Sequence, residues 1–206
     1  MRRAAVAAVI AAWLVALPAN ASSAGELVRQ AHAHEAAHED DVAVRRYMEA
    51  LAVEATHADA WLGLGALRMK LGDPGEAERV YTSALAHVPS LHPALEGRAR
   101  ARWAMGQHAE AEADLDEYAN LERDIPALRE LAGWYGVDGR TPAELAVWRR
   151  LLAVALSQVD GDGEREARRM VRALIILVDG SDPPSSPVAP DATRRAMAAI
   201  ARRGGA

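Results

Sequence analysis

A cluster of histidines near the start of the chain contains the residues best suited to metal binding: His32, His34 and His38. On one helix, His34 and His38 would share a face, because they stand four residues apart as zinc ligands on helices do. His32 would lie about 200° away from His34 around the helix axis, so the three side chains cannot easily bind one ion. One hypothesis is a periplasmic metal-binding protein that uses His34 and His38. The other, which we favour, is a helix that ends near His38 and is followed by a charged turn, without metal or cofactor.

Two acidic segments could also be taken for sites of chemistry. The Asp160-Gly161-Asp162-Gly163-Glu164 segment resembles part of a calcium loop, but arginines follow where further ligands are needed, so we predict a turn with a helix N-cap. A second group of acids is spaced as on a solvated helix face: Glu110, Glu112, Asp114, Asp116 and Glu117. The sequence has neither a G-x-S-x-G motif nor a glycine-rich phosphate-binding motif. We therefore predict that the protein is not an enzyme.

Composition narrows the class of protein further. Half of the 206 residues are apolar, only 4% are aromatic and Phe is absent, which favours helices packed through small side chains and argues against an all-β fold. The net charge of −5 argues against a nucleic-acid partner, because phosphate binding needs a basic surface. The absence of cysteine excludes disulfides, thiolate nucleophiles, cysteine-bound metals and a lipid-modified N-terminal cysteine.

The segment 1–21 has the features of a secretory signal peptide. Arg2 and Arg3 precede an apolar run over residues 4–17, and small residues follow at Ala19 and Ala21. We expect cleavage after Ala21, with Ala24 as the second choice, and a mature protein in the periplasm or outside the cell. The alternative is an uncleaved anchor, but the run is shorter than the about 20 residues that span a bilayer. We therefore predict no stable membrane span after cleavage.

The elements that would position side chains repeat along the chain. The central segment, residues 58–91, has the spacing W-x2-L-G, then A-x3-aromatic, then P, in these residues: Trp61, Leu64, Gly65, Ala77, Tyr81, Ala84 and Pro89. Ala43, Ala77 and Ala111 recur at one constant interval, which equals the length of this central segment. Small side chains at these positions would let the second helix of each pair approach the first closely.

This pattern resembles that of the tetratricopeptide repeat (TPR) family. Together with the predicted signal peptide, it indicates a TPR protein of the exported bacterial type. The resemblance implies an all-α fold: a right-handed superhelical array of antiparallel helix pairs, or TPR-like α-solenoid, with a C-terminal capping helix that covers the last apolar face. The expected parts are repeats at about 24–57, 58–91 and 92–125, a degenerate hairpin at 126–158 and a capping helix at 163–178. For residues 179–206, which are rich in Pro and Ser, we predict a flexible tail with a possible short helix.

Turn residues can be predicted at two places. Gly72 can adopt a left-handed conformation after the first helix of the central repeat, Asp73 can cap the second helix, and Pro74 suits its first turn. Thr141 and Glu144 predict a capping box at a later helix.

The third repeat departs from the family pattern. It has Arg98 and Ala99 where the central repeat has Leu64 and Gly65. The return of Gly72 as Gly106, together with that of the alanines, still predicts a helical pair of the same kind.

In the proteins that this chain resembles, the first helices of successive repeats line a concave groove that holds a peptide or a partner helix. The same phase predicts these groove residues: Val28, His32, Glu35, Leu62, Ala66, Met69, Glu96, Arg100, Trp103 and Arg129. The set mixes apolar anchors with both signs of charge, as a groove for an extended peptide would. The alternative is that Leu62 and Trp103 fill the core between repeats. We predict a non-enzymatic scaffold or adaptor of the bacterial cell envelope that binds a protein or peptide partner.

Overall fold

A computed structural model describes residues 22–179 of the chain. The predicted signal peptide, and the predicted tail beyond Asp179, lie outside the described residues. The described part contains nine α-helices and no strand: α1 (Ala24–Ala36), α2 (Asp40–Val53), α3 (Ala58–Lys70), α4 (Pro74–His87), α5 (Pro93–Ala104), α6 (His108–Glu122), α7 (Ile125–Val137), α8 (Thr141–Gln158) and α9 (Gly161–Asp179). None of these helices is long and apolar enough to cross a membrane.

The helices pack as consecutive pairs in two compact units, which divide between Glu122 and Arg123. In the first unit, α1 pairs with α2, α3 with α4 and α5 with α6, and the short turns make each pair antiparallel. Helix α3 also contacts both α1 and α5, so the first helices of the three pairs are neighbours. The predicted all-α array of helix pairs is confirmed.

Small residues bring the helices of each pair together in the first unit. Ala43, Ala77 and Ala111 have no exposed surface, which confirms their predicted burial. Ala50 and Ala84, one further pair at the same interval, are also fully buried. Because a larger side chain would separate the helices, the repeat of alanines fixes the spacing within each pair.

Two tyrosines join each pair of helices to the next. The Tyr47 ring of α2 lies against Gly63 of α3, and the Tyr81 ring of α4 lies against Gly97 of α5. At either glycine, a Cβ atom would fall less than 3.0 Å from the ring. Tyr81 lies just as close to Gly65 in its own pair. The aromatic rings therefore fill space that only a glycine backbone leaves open.

The predicted turn in the central pair is confirmed. Gly72 has φ +76°, and the Asp73 carboxylate accepts a hydrogen bond from the backbone N of Glu76 at 3.2 Å. The capping box at Thr141 is wrong. Helix α8 has Arg140 as its N-cap, without a side-chain cap, and Thr141 is already helical. The Glu144 carboxylate accepts instead from Nε1 of Trp148, one turn further along, at 3.4 Å.

The second unit contains α7, α8 and α9. Leu128, Leu131 and Leu151 are almost completely buried in it. Helix α9 packs on α8 and buries Ala167 and Leu174; it lies where the capping helix is predicted and is slightly longer at each end. The predicted turn before it is confirmed. Asp160 precedes the helix, and its carboxylate accepts from the backbone N of Asp162 at 3.1 Å.

Candidate functional site

The adjacent helices α1, α3 and α5 carry nearly all of the predicted groove residues, and all three helices belong to the first unit. Equivalent positions on these helices are separated by the same constant interval as Ala43, Ala77 and Ala111. His32, Ala66 and Arg100 form one such row, and all three are exposed. The fold therefore brings these side chains onto neighbouring helices, as a continuous binding surface requires.

Two of the predicted groove residues have other roles. Val28 is only 6% exposed and belongs to the apolar core with Leu27 and Ala31, so its assignment to the groove is wrong. Val28 is short and apolar and lies within the packing of α1 against its neighbours, which helix phase alone does not reveal. Arg129 lies on α7 in the second unit and is bound to Glu166 of α9, with Nη2 and Oε2 2.6 Å apart. This hydrogen bond raises the pKa of the Arg129 guanidinium.

A hydrogen-bonded cluster lies on α1 at one end of the row. The Tyr47 hydroxyl, which reaches α1 from α2, donates to Oε1 of Glu35 and lies 3.0 Å from Nδ1 of His32. Burial raises the pKa of the Tyr47 phenol, and the hydrogen bond and negative charge of Glu35 raise it further. The His32 side chain stays 61% exposed. The cluster holds one imidazole and one carboxylate in fixed positions at the surface.

The middle of the row, on α3, is apolar. Leu62 and Met69 are half-buried against the core cluster around Tyr81, and Ala66 between them is exposed. The alternative that Leu62 contributes to the core is thus correct for part of its side chain. The remaining surface of Leu62 and Met69, beside a small alanine, can contact an apolar side chain of a partner.

Helix α5 supplies charge and an aromatic ring at the other end. Nη2 of Arg100 donates to Oε1 of Glu96 at 2.7 Å. Burial raises the pKa of the nearby Tyr81 phenol, and the positive charge of Arg100 partly offsets this effect. Trp103 is half-buried and stacks on His108, with the ring centroids 4.1 Å apart. This end therefore presents an ion pair and the edge of a fixed stack.

The structure does not support a metal site at the histidine cluster. Helix α1 ends at Ala36, and His38 lies beyond it with φ +60°, so the assumption that His34 and His38 share a helical face is wrong. Nδ1 of His34 lies 2.5 Å from Oε2 of Glu39. Nowhere in residues 22–179 do three His, Asp or Glu side chains group closely enough to hold a metal ion.

A buried ion-pair network around α5 was not predicted. Arg98 donates two hydrogen bonds to Asp114, at 2.8 and 2.7 Å, and Arg102 bridges Asp114 and Glu78 at 2.8 and 3.0 Å. Asp114 and Glu112 are 5% and 6% exposed, so the prediction of a solvated face is wrong for both. The hydrogen bonds from Arg98 to Asp114 raise the pKa of that guanidinium.

The sequence contains the signal for this network. Arg98 occupies the position in the third repeat that Leu64 has in the second, and Asp114 occupies the position of Val80. An apolar pair in the second repeat is therefore replaced by an ion pair in the third. The departure at Arg98 was visible, but its partner could be recognised only by comparing both positions together.

Comparisons with known proteins agree with this architecture. Residues 58–101 match the family model of the tetratricopeptide repeat. YrrB, described as a TPR protein with an unusual peptide-binding site, is 17% identical over 79% of this chain and 81% of its own, with a TM-score of 0.59. PilF of Pseudomonas aeruginosa is 19% identical over 79% of each chain, with a TM-score of 0.57.

A third structure, the first TPR of Spaghetti (RPAP3) bound to the HSP90 peptide SRMEEVD, is 19% identical over 60% of this chain and 99% of its own, with a TM-score of 0.54. No curated protein matches the sequence. Residues 58–101 thus match a tetratricopeptide repeat, and the described residues have the fold of TPR proteins.

Proposed function

We propose that this TPR chain is a non-enzymatic scaffold that binds an extended peptide segment of a partner protein across α1, α3 and α5. The observation that carries the proposal is the row of side chains on these three adjacent helices. It runs from the His32 and Glu35 cluster, over the apolar surface of Leu62, to the ion pair of Arg100. A surface with an apolar centre and polar ends suits a peptide that carries one apolar anchor between polar residues.

The rigid support beneath the row favours the same function. Tyr47 is 0% exposed and Tyr81 is 5% exposed. Each ring packs closely against a glycine of the next helix, so the two tyrosines fix the spacing of α1, α3 and α5. A groove that is already formed costs little ordering free energy when a peptide binds. The peptide-binding site described for YrrB and the peptide bound to RPAP3 support peptide binding by this fold without identifying the partner here.

Paired substitutions at one end of the row test the proposal. Peptides that bind the purified protein would be selected from a displayed random library and titrated by calorimetry. We expect Arg100→Ala with Trp103→Ala to weaken binding by about tenfold, because truncating one or two anchors typically costs more than 1 kcal/mol. The matched control is Arg79→Ala, an exposed arginine on α4 that also pairs with a glutamate of its own helix. Unchanged binding by the double variant, with helicity preserved, would contradict the groove assignment.

Export to the bacterial cell envelope is part of the proposal. It rests on the basic start, apolar run and small residues of positions 1–21. In this setting, the scaffold would take part in the assembly or secretion of envelope components. Expression of the full chain in a Gram-negative host, followed by fractionation and intact-mass measurement, should give a periplasmic product that begins at Ser22. A cytoplasmic product that retains residues 1–21 would contradict export.

A further inference from the structure

A second cleft lies in the first unit, between α4, α5 and α6. It has a volume of about 430 Å³, and much of its wall is apolar, formed by Leu85, Leu95, Leu121 and Pro89. Leu121 is 50% exposed, which is high for a leucine that lines a concave surface. The cleft is large enough for one or two side chains of a bound segment, and its walls suit aliphatic groups.

This cleft is distinct from the proposed groove. Arg98 lines it, whereas Arg100 belongs to the groove, and two residues along a helix correspond to a rotation of about 200°. Helix α5 therefore contributes to two surfaces on nearly opposite sides. The cleft also contains none of the predicted groove residues.

The charges around the cleft favour a cation. Two basic residues, Arg98 and His92, line the cleft, and each is already bound to an acid outside it. Arg98 donates two hydrogen bonds to Asp114. Nδ1 of His92 lies 2.6 Å from Oε1 of Glu122. The lining carboxylate, Glu117, is exposed and makes no ion pair with any residue between positions 22 and 179, although its charge contributes to the raised pKa of Arg98. Because a buried carboxylate already balances the charge of Arg98, an anionic ligand would gain little there, whereas a cationic ligand would meet Glu117 directly.

We propose that this cleft binds a short segment in which an aliphatic side chain is followed within a few residues by an arginine or lysine. The aliphatic group lies on Leu85 and Leu121, and the cationic end pairs with Glu117 at the mouth. An arginine stem can itself cover apolar surface while its guanidinium stays at the solvent edge. The protein thus has a second peptide-binding surface. It prefers a cationic segment, although Arg98 by itself would attract an anion.

Matched peptides test the charge preference. The probe is acetyl-Gly-Leu-Ala-Ala-Arg-Gly-amide, titrated into the isotopically labelled protein and followed by backbone amide shifts in NMR spectra. Citrulline in place of arginine keeps the shape but removes the charge, and glutamate reverses it. We expect shifts at Leu85, Glu117 and Leu121, and affinity for the arginine peptide at least fivefold higher than for the citrulline peptide. Equal affinities, tighter binding of the glutamate peptide, or shifts confined to α1 and α3 would overturn the proposal.

Variants on one helix separate the contributions. Glu117→Gln should abolish the preference for arginine over citrulline, whereas Glu110→Gln, another exposed acid on α6 but outside the cleft, should preserve it. Leu121→Ser should weaken the binding of both peptides to a similar degree, because it removes part of the apolar wall and no charge. Arg100→Ala should leave all these affinities unchanged, so failure of the groove proposal and failure of this one give different results. A preference that survives Glu117→Gln would refute the role of that carboxylate.

Discussion

Tyr47 and Tyr81 show how single residues connect one repeat to the next. Each ring lies against a glycine in the first helix of the following pair, Gly63 for Tyr47 and Gly97 for Tyr81. The glycines recur at the same interval as the tyrosines. Because the ring occupies the place of a Cβ atom, a larger residue at either glycine would overlap the tyrosine unless the ring moved.

Adding one methyl group at Gly97 tests this contact. Gly97→Ala should lower the free energy of unfolding by about 1–3 kcal/mol, because the new Cβ atom would overlap the Tyr81 ring. Gly75→Ala is the control in the same unit, where the nearest atom would be Sδ of Met105 at 3.8 Å. Urea unfolding followed by circular dichroism would measure both. If the two variants are equally stable, the Tyr81 contact does not restrict position 97.

The Tyr47 hydroxyl should make stability depend on pH in alkali. Its pKa is raised in the folded protein, so the unfolded chain, with a phenol pKa near 10, releases the proton first as pH rises. The stabilisation is therefore complete below about pH 10 and is lost above it, by up to about 1.4 kcal/mol per pH unit.

Tyr47→Phe removes the contribution of Tyr47 to this pH dependence, whereas that of Tyr81, whose pKa is also raised, is common to both proteins. At about pH 8 the variant should be less stable than the wild type by about 1 kcal/mol, because it lacks the hydrogen bond to Glu35. At about pH 11 the difference should shrink or reverse, since phenylalanine cannot ionise. Urea unfolding at both pH values measures the difference. A constant difference would show that Tyr47 ionises equally easily in the folded and unfolded chains.

At the scale of elements, α5 is held by charge on one side and presents charge to solvent on the other. Arg98 and Arg102 bind acids of α6 and α4, and Asp114 between them is almost completely buried. Arg100, on the side of the proposed groove, is 47% exposed. Alternate arginines of one helix therefore have different roles, which depend on the helices that surround α5.

Removing one partner of this ion-pair network should lower the stability more than replacing the Arg98–Asp114 pair by two apolar residues. Asp114→Asn should destabilise the first unit by about 3 kcal/mol, because two half-buried guanidiniums lose their shared carboxylate. Arg98→Leu with Asp114→Val restores the residue types of Leu64 and Val80 and leaves Arg102 bound to Glu78, so this double variant should be clearly more stable than the single one. Thermal unfolding compares the two, and a double variant no more stable than Asp114→Asn would contradict the apolar equivalence of these positions.

At the scale of the molecule, the last helix pair of the array needs a further helix to cover its apolar face. Helix α9 covers α8, whose Leu151 and Ala155 are completely buried. A chain that stops after Gln158 should therefore expose apolar surface in its second unit, and trypsin should cleave at Arg149 and Arg150 faster than in a control that stops after Asp179. Mass spectrometry of the early fragments gives the cleavage order. Equal rates at these sites would mean that α9 is not needed as a cap.

The sequence predicts the pairing of helices well because the signal is periodic and local. Alanines at a constant interval, and a Gly72-Asp73-Pro74 turn, specify helix ends and close helix packing without knowledge of distant residues. The same periodicity places His32, Ala66 and Arg100 in one row on adjacent helices.

Only the tertiary structure decided which of these side chains are available. Helical phase gives the direction of a side chain but not what lies opposite, so Val28 is in the core, and Asp114, in a run of acids, is buried between two arginines. The end of α1 at Ala36 likewise separates His34 from His38. The tetratricopeptide pattern thus determined the fold, whereas contacts between helices determined which residues a partner can reach, because burial and charge pairing depend on neighbours that periodicity does not specify.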